Sequence, residues 1–186
     1  MTLKEFRKHV FEAVASVSAS FDEPDDDWPA IFFLEDEAGR GTTVRLCGHF
    51  FDGAERKDLL AEVLLPTIIQ KLGAIRVALL TSSWISVVDP DNEERVAAMD
   101  ADELRPSTDP LGQEAVTIMI VSVDQIELWT ARIRRSLEQP PTLAEWQKGE
   151  GPHGRFLGPL QQALQHIQDG SGNGDPPCGP RWPPGE

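Results

Sequence analysis

DGAERKDLLAEVLLPTIIQKLGAIRVALLTSSWISVV, the segment from Asp52 to Val88, decides the fold of this chain. Asp52 and Glu55 form the D-x-x-E version of a capping box, in which the acidic side chain accepts a hydrogen bond from an early helical N–H. The helix that follows is predicted to continue to Leu72. Gly73 then stands where a left-handed residue commonly ends a helix. The sequence therefore predicts one long helix that leads directly into a strand.

The second half of this helix and the strand after it are both strongly apolar. Between Val63 and Ile69 only Pro66 and Thr67 are not Val, Leu or Ile, and a helix that is apolar nearly all round is typically buried. Because Pro66 removes a backbone hydrogen bond, a kink is expected there. The strand over residues 75–88 is apolar on both faces, which is typical of the middle of a sheet. This helix–strand pair is predicted to form the core.

Patterns on either side of the central pair indicate an α+β domain. Thr2 and Glu5 form a capping box for an amphipathic helix that runs to about Ser18. The other predicted elements are a hairpin of strands 31–34 and 42–50, strands at 115–123 and 126–133, a short helix within 142–149, and a final helix that begins near Pro159. The main elements give a five-stranded, mainly antiparallel sheet with packed helices, in the order α-β-β-α-β-β-β-α. Residues 1–169 are predicted to form a single domain, and residues 170–186 a disordered Pro/Gly-rich tail.

This order of elements resembles the profilin-like and roadblock-like class, whose domains place helices on a five-stranded antiparallel sheet. The resemblance covers roughly residues 1–170, and it concerns the topology alone. It implies a non-enzymatic scaffold or interaction role, often as a homodimer that forms through the central helix or an edge strand.

The negative charge is concentrated in two parts of the chain. The formal net charge is −14; residues 22–37 contain eight acids and no Lys or Arg, and residues 89–114 contain nine acids and two Arg. The remaining residues hold 14 acids and 15 bases, so they are nearly neutral. Such a layout favours a local electrostatic role, and it argues against binding to nucleic acid, which requires a basic surface. The predicted partner is a basic protein surface, and the predicted binding residues are Asp25, Asp26, Asp27, Glu93, Glu94, Asp102 and Glu103.

Cysteine content and hydropathy predict a soluble cytoplasmic protein. Cys47 and Cys178 are the only cysteines, which supply neither a disulfide framework nor a four-ligand zinc site. The chain has no long apolar run that would span a membrane. We therefore expect no membrane partner, no metal and no cofactor.

Cys47 and His49 are the strongest candidates for a catalytic pair. On the predicted strand they project from one face, where a thiolate and an imidazole are a workable nucleophile and base. Side chains at this spacing stand parallel, however, which is unfavourable for a hydrogen bond between them. The acidic runs 22–27 and 89–93 lack the glycine bend of a calcium loop. The acids at 35–37 are predicted to lie at a hairpin tip, where water screens them.

The chain also contains one basic run, formed by Arg132, Arg134 and Arg135. It can bind a phosphate or an acidic partner. Alternatively, it can lie at the end of a strand and form ion pairs with Glu127 or Glu138.

The leading hypothesis from the sequence is a non-enzymatic interaction or regulatory domain that binds a basic protein surface. One alternative is an enzyme of unrecognised type that uses Cys47 and His49, which requires a concave pocket around His49. Another is an acidic mimic of nucleic acid that occupies a basic cleft. The mimic requires carboxylates at phosphate-like spacing along one face.

Overall fold

The structure is a computed structural model, and it describes residues 2–85, 97–98, 109–149 and 155–170. The helices are α1 Leu3–Ser18, α2 Ala54–Leu59, α3 Leu65–Leu72 and α4 Leu157–Gln168. The strands are β1 Ile31–Asp36, β2 Gly41–Arg45, β3 Ala74–Ile85, β4 Gln113–Ser122, β5 Ile126–Arg134, β6 Thr142–Leu143 and β7 Gln147–Gly149. A 3₁₀ turn Gly48–Phe51 precedes α2, and a π turn Leu60–Leu64 joins α2 to α3. Helices combined with an antiparallel sheet confirm the predicted α+β class.

The sheet contains seven strands among the described residues, in the order β2-β1-β3-β4-β5-β6, and β7 also pairs with β5. β3 lies at the centre, antiparallel to β1 on one side and to β4 on the other. Its residues Val77, Ala78 and Leu80 are fully buried, as expected for a strand that is apolar on both faces. β3, β4 and β5 pair antiparallel in succession, and the predicted number of five strands is wrong.

The additional strands, β6 and β7, lie in the segment for which a short helix was predicted. Leu143 of β6 pairs with Ile133, and β7 pairs with β5 between Leu128 and Thr130. This course brings the Trp146 ring to 4.9 Å from the Phe11 ring of α1, in an edge-to-face contact. Because an eight-residue helix is marginal by itself, the tertiary contacts of a strand outweigh the local preference. The helix prediction for residues 142–149 is wrong.

Helices cover both faces of the sheet, which we call the α1 face and the α4 face. Alternation along β1 sends Ile31 and Phe33 to the α1 face and Phe32 and Leu34 to the α4 face. The α1 cluster contains Phe6, Val10 and Val14 of α1 with Ala78, Leu80, Val116, Ile118 and Ile120 of the sheet. The α4 cluster contains Leu60, Leu65, Ile69, Leu160 and Leu164 of the helices with Val77, Leu79, Met119 and Val121 of the sheet. Each fully buried side chain of this size stabilises the fold by about 1.5–3 kcal/mol.

The central helix begins one residue later than the capping box predicts. Gly53, with φ of 87°, is the N-cap residue, and no side chain caps the helix. The Asp52 carboxylate instead lies 3.1 Å from Nδ1 of His49. The predicted D-x-x-E capping box is therefore wrong. At the other end Gly73 has φ of 58°, which confirms the predicted left-handed helix end.

A π turn ends just before Pro66, the residue at which a kink was predicted. The N–H of Leu65 donates to the carbonyl of Leu60, five residues back. The Thr67 hydroxyl donates to the carbonyl of Val63 at 2.6 Å. The helix is also less buried than its composition indicates, because the Val63 side chain is half exposed.

Candidate functional site

Three of the seven predicted partner-binding acids lie in the described residues, in the loop between α1 and β1. The Asp26 carboxylate accepts hydrogen bonds from the backbone N–H groups of Asp22 at 2.8 Å and Glu23 at 2.9 Å. Asp26 therefore stabilises the loop by binding its backbone N–H groups, as acidic residues do in turns. The side chains of Asp22, Glu23 and Asp25 are exposed and form no ion pair with a described residue. Three free carboxylates thus lie on a loop of defined shape.

Arg135 fastens this loop to the sheet. Its guanidinium donates to Asp27 Oδ1 at 2.6 Å and to both carboxylate oxygens of Glu114 at 2.6 and 2.8 Å. It also donates to the backbone carbonyl of Asp26 at 3.0 Å. The hydrogen bonds to Glu114 raise the pKa of Arg135, burial lowers it, and the bond to Asp27 raises it again, so that the net direction is upward.

The Arg135 contacts link one residue of each acidic stretch, since Asp27 belongs to residues 22–37 and Glu114 to residues 89–114. The predicted pairing of the basic run with Glu127 or Glu138 is wrong for Arg135. The sequence contains the three residues but no signal of their contact, because they are more than 100 and about 20 positions apart.

A large apolar side chain stands beside the fastened loop. Leu137 is 98% exposed, the highest exposure among the large apolar side chains of the described residues. It lines an open cleft of about 490 Å³ together with Pro24, Asp25, Asp27, Arg135 and Ser136. We call Asp22, Glu23, Asp25 and Leu137 the acidic-loop surface. Apolar patches with a polar rim are typical of protein-binding surfaces, and here one apolar side chain lies beside the acidic loop.

A second charged cluster lies on the α1 face around Glu127, which is 9% exposed. Arg7 donates to both of its carboxylate oxygens at 3.0 and 2.9 Å, Lys148 donates at 3.2 Å, and the Trp129 indole N–H donates at 3.0 Å. The Arg7 guanidinium also lies 5.3 Å from the centre of the Trp129 ring. Because every charge in this cluster is paired inside the fold, we regard it as structural.

Glu35 does not lie at a solvent-exposed hairpin tip, as was predicted for the acids at 35–37. Its side chain is fully buried on the α1 face, and Arg76, directly across from it on β3, donates to it at 2.8 Å. Asp36 is bound by Arg40 at 2.7 Å. The tip itself is residues 37–40, so the hairpin prediction is right and the position assigned to Glu35 is wrong.

The candidate catalytic pair does not lie on a strand. β2 ends at Arg45, and Cys47 precedes the 3₁₀ turn that contains His49. Both residues are exposed, and Nδ1 of His49 faces the Asp52 carboxylate at 3.1 Å, with no hydrogen bond to Cys47 among those of the described residues. Neither residue lines any of five open clefts that we identified on the described part of the chain. The strand placement of this pair is wrong, and none of these five clefts provides a walled pocket for it.

The predicted binding residues Glu93, Glu94, Asp102 and Glu103 lie outside the described residues, as do Cys178 and residues 171–186. Within the described ranges, no group of three or more His, Cys, Asp or Glu side chains is arranged to hold a metal ion. The same ranges contain no helix with the length and apolarity needed to cross a membrane.

Comparison with known proteins finds no matching protein-family model, no matching curated protein and no matching solved structure.

Proposed function

We propose that the protein is a non-enzymatic interaction or regulatory domain that binds a basic protein surface through its acidic-loop surface. The observation that carries this proposal is the fixed loop of Asp22, Glu23 and Asp25 beside the fully exposed Leu137. Asp26 and Arg135 hold the loop in one shape through hydrogen bonds of 2.6–3.0 Å.

The two kinds of side chain on this surface have different roles in binding. The carboxylates attract a basic partner over a distance and select its orientation, and they are screened over about 8 Å at physiological ionic strength. Leu137 supplies apolar area, and burying a Leu side chain contributes about 1.5–3 kcal/mol. Because the loop is fixed before binding, little conformational entropy is lost when the partner is bound. The expected partner is therefore a basic surface with an apolar patch that accepts Leu137.

The proposal extends to the residues of the second acidic stretch, Glu93, Glu94, Asp102 and Glu103, as further contacts for the same partner. It also includes a cytoplasmic location, since a free exposed thiol such as Cys47 is most stable in a reducing compartment.

The nucleic-acid mimic receives less support from the described carboxylates. Asp27, Asp36, Glu35 and Glu114 are all paired with arginines of the same chain, Asp27 and Glu114 with the same one. A mimic requires its carboxylates to be free and evenly spaced, so these four do not serve that purpose.

The proposal is tested by capture of partners from a lysate of the source cells at low and high salt, followed by affinity measurement with each purified partner. One variant combines Asp22→Asn, Glu23→Gln and Asp25→Asn, and a second carries Leu137→Ser. Asp124→Asn and Leu72→Ser are the controls, because Asp124 is exposed at the β4–β5 turn, and Leu72 is 43% exposed and lies outside both acidic stretches.

We expect both test variants to fold normally and to bind a partner at least tenfold more weakly, while the two controls bind as the wild type does. The salt dependence of binding is expected to decrease only in the acid variant. Unchanged binding by both test variants would contradict the proposal.

Homodimerisation stays a prediction, implied by the profilin-like and roadblock-like topology. Leu59 and Val63, one helical turn apart around the π turn, are 47% and 50% exposed, so the central helix presents an apolar strip. Sedimentation of the wild type and of Val63→Glu at several concentrations tests it, and a concentration-independent monomer would exclude a stable dimer.

A further inference from the structure

The α4 face of the sheet changes from apolar to polar along three neighbouring strands. Leu79, Met119 and Leu128 lie side by side across β3, β4 and β5 and belong to the α4 cluster or pack against it. The next row on the same face is Thr81, Thr117 and Thr130, and the row beyond it is Ser83, Ala115 and Arg132. The threonine row therefore marks where the described helices stop covering the α4 face.

Two arginines lie on the α4 face beyond the threonine row. Arg132 and Arg134 are both exposed, and the alternation of β5 directs them to the same face, about 7 Å apart along the strand. Neither forms an ion pair or a hydrogen bond with a described residue, in contrast to Arg135, which binds Glu114 and Asp27. In a chain with a net charge of −14, two adjacent guanidinium groups without a carboxylate partner are unexpected.

These arginines line the largest of the five clefts, which has a volume of about 640 Å³. Small-molecule sites usually have volumes of about 300–1,000 Å³. The lining side chains on this face include Ile85, Gln113, Thr130 and Gln147 as well as the two arginines. Thr130, Gln113 and Gln147 supply neutral hydrogen-bonding groups.

Two acidic residues also line the cleft, and their charges enter the balance. Glu114 is paired with Arg135, which holds both of its oxygens and also binds Asp27. Glu145 is exposed and has no ion pair with a described residue. The lining therefore includes two guanidinium groups without an ion pair and one carboxylate without an ion pair.

We propose that this cleft binds a small oxyanion with at least two negative charges, carried by phosphate or carboxylate groups. The Arg132 and Arg134 guanidiniums match such groups, because each presents parallel N–H donors to a pair of anionic oxygens. Thr130 and Gln147 contribute hydrogen bonds to the ligand's neutral oxygens. The site does not depend on the acidic-loop surface, since Arg132 and Arg134 project from the face opposite to the one that Arg135 reaches.

The test is calorimetric titration of the full chain with inorganic phosphate in one arm and citrate in the other, at low ionic strength. The variants are Arg132→Gln, Arg134→Gln and the double substitution. Arg45→Gln is the matched control, because Arg45 is an exposed strand arginine with no ion pair to a described residue. Circular dichroism verifies that every variant folds.

We expect at least one probe to bind, each single substitution to weaken it about tenfold, and Arg45→Gln to leave it unchanged. Binding of phosphate alone identifies a phosphate-bearing ligand, and binding of citrate alone identifies a polycarboxylate. The proposal is overturned if neither probe binds, if the double substitution has no effect, or if Arg45→Gln weakens binding as strongly.

Discussion

At the scale of single residues, Glu35 and Arg76 form a buried ion pair between β1 and β3. The Glu35 side chain is fully buried and the Arg76 side chain is 22% exposed. The second carboxylate oxygen of Glu35, Oε1, has no hydrogen-bond partner among the described residues. A single cation therefore compensates the whole desolvation of this carboxylate.

We expect Arg76→Ala to lower the free energy of unfolding by about 3 kcal/mol, because it leaves a buried carboxylate without a cation. Arg40→Ala in the same hairpin removes the ion pair with Asp36, but the Arg40 side chain is 81% exposed, so the cost should be at most about 1 kcal/mol. Urea denaturation measures both. Adding Glu35→Gln to Arg76→Ala should restore part of the loss, and equal losses for the two arginine variants would contradict the assignment.

The Glu127 cluster predicts how stability depends on pH. Burial raises the pKa of Glu127, but the hydrogen bonds from Trp129, Arg7 and Lys148 outweigh burial and lower it below its ordinary value of 4.5. A carboxyl group whose pKa is lowered by folding contributes stability above its unfolded pKa, and this contribution is lost as the pH falls through the folded pKa.

We therefore expect Tm to decrease as the pH falls below about 4.5, and to decrease less steeply in Glu127→Gln. The matched control is Glu138→Gln, which changes an exposed carboxyl and should keep the wild-type slope. Thermal unfolding between neutral pH and pH 3 gives the slopes. If Glu127→Gln retains the wild-type slope, the cluster does not control acid stability.

At the scale of elements, the sequence predicts that the central helix exists but not which of its residues face the core. The capping box of α1 and the glycine end of α3 follow from short local patterns, and both are confirmed. The π turn depends on five residues and the proline after them, and no pattern in the sequence marks it. After this turn Leu65 and Ile69 face the core and Leu64 is only partly buried.

This orientation of the side chains gives a test of the helix geometry. Leu65→Ala should lower the free energy of unfolding by about 2–5 kcal/mol, because the Leu65 side chain is fully buried in the α4 cluster. Val63→Ala, two residues earlier, should cost about 0.5 kcal/mol or less, since Val63 is half exposed. Denaturant melts of the two variants decide the matter. A larger loss of unfolding free energy for Val63→Ala than for Leu65→Ala would mean that Val63, and not Leu65, faces the core.

At the scale of the whole molecule, one sheet joins the two apolar clusters. β3 and β4 each contribute side chains to both, because they alternate between the α1 face and the α4 face. We expect unfolding in denaturant to be a single transition, with the loss of helix by far-ultraviolet circular dichroism coincident with the change in tryptophan fluorescence. Two separated transitions would show that the clusters unfold independently.

Contacts across the whole molecule also explain which features of the sites cannot be predicted from the sequence. The surplus of acids at 22–37 is readable from composition, and so is the basic run at the end of β5. Which acids stay free is decided by pairings across the fold, as between Asp27, Glu114 and Arg135. Leu137 lies outside any periodic element, so no pattern indicated its exposure. The charge layout could therefore be predicted, and the identity of the free groups could not.

The π turn has a further consequence for evolutionary comparison. A turn closed by a hydrogen bond to the fifth preceding residue holds one residue more than an α-helical turn. Deletion of one residue within Leu60–Leu64 would therefore return the segment to regular α-helix without displacing α2 or α3. Pro66 would then stand in the middle of a regular helix, where proline costs about 3 kcal/mol. In an alignment of related chains, a one-residue gap in this segment should accordingly occur together with the replacement of Pro66.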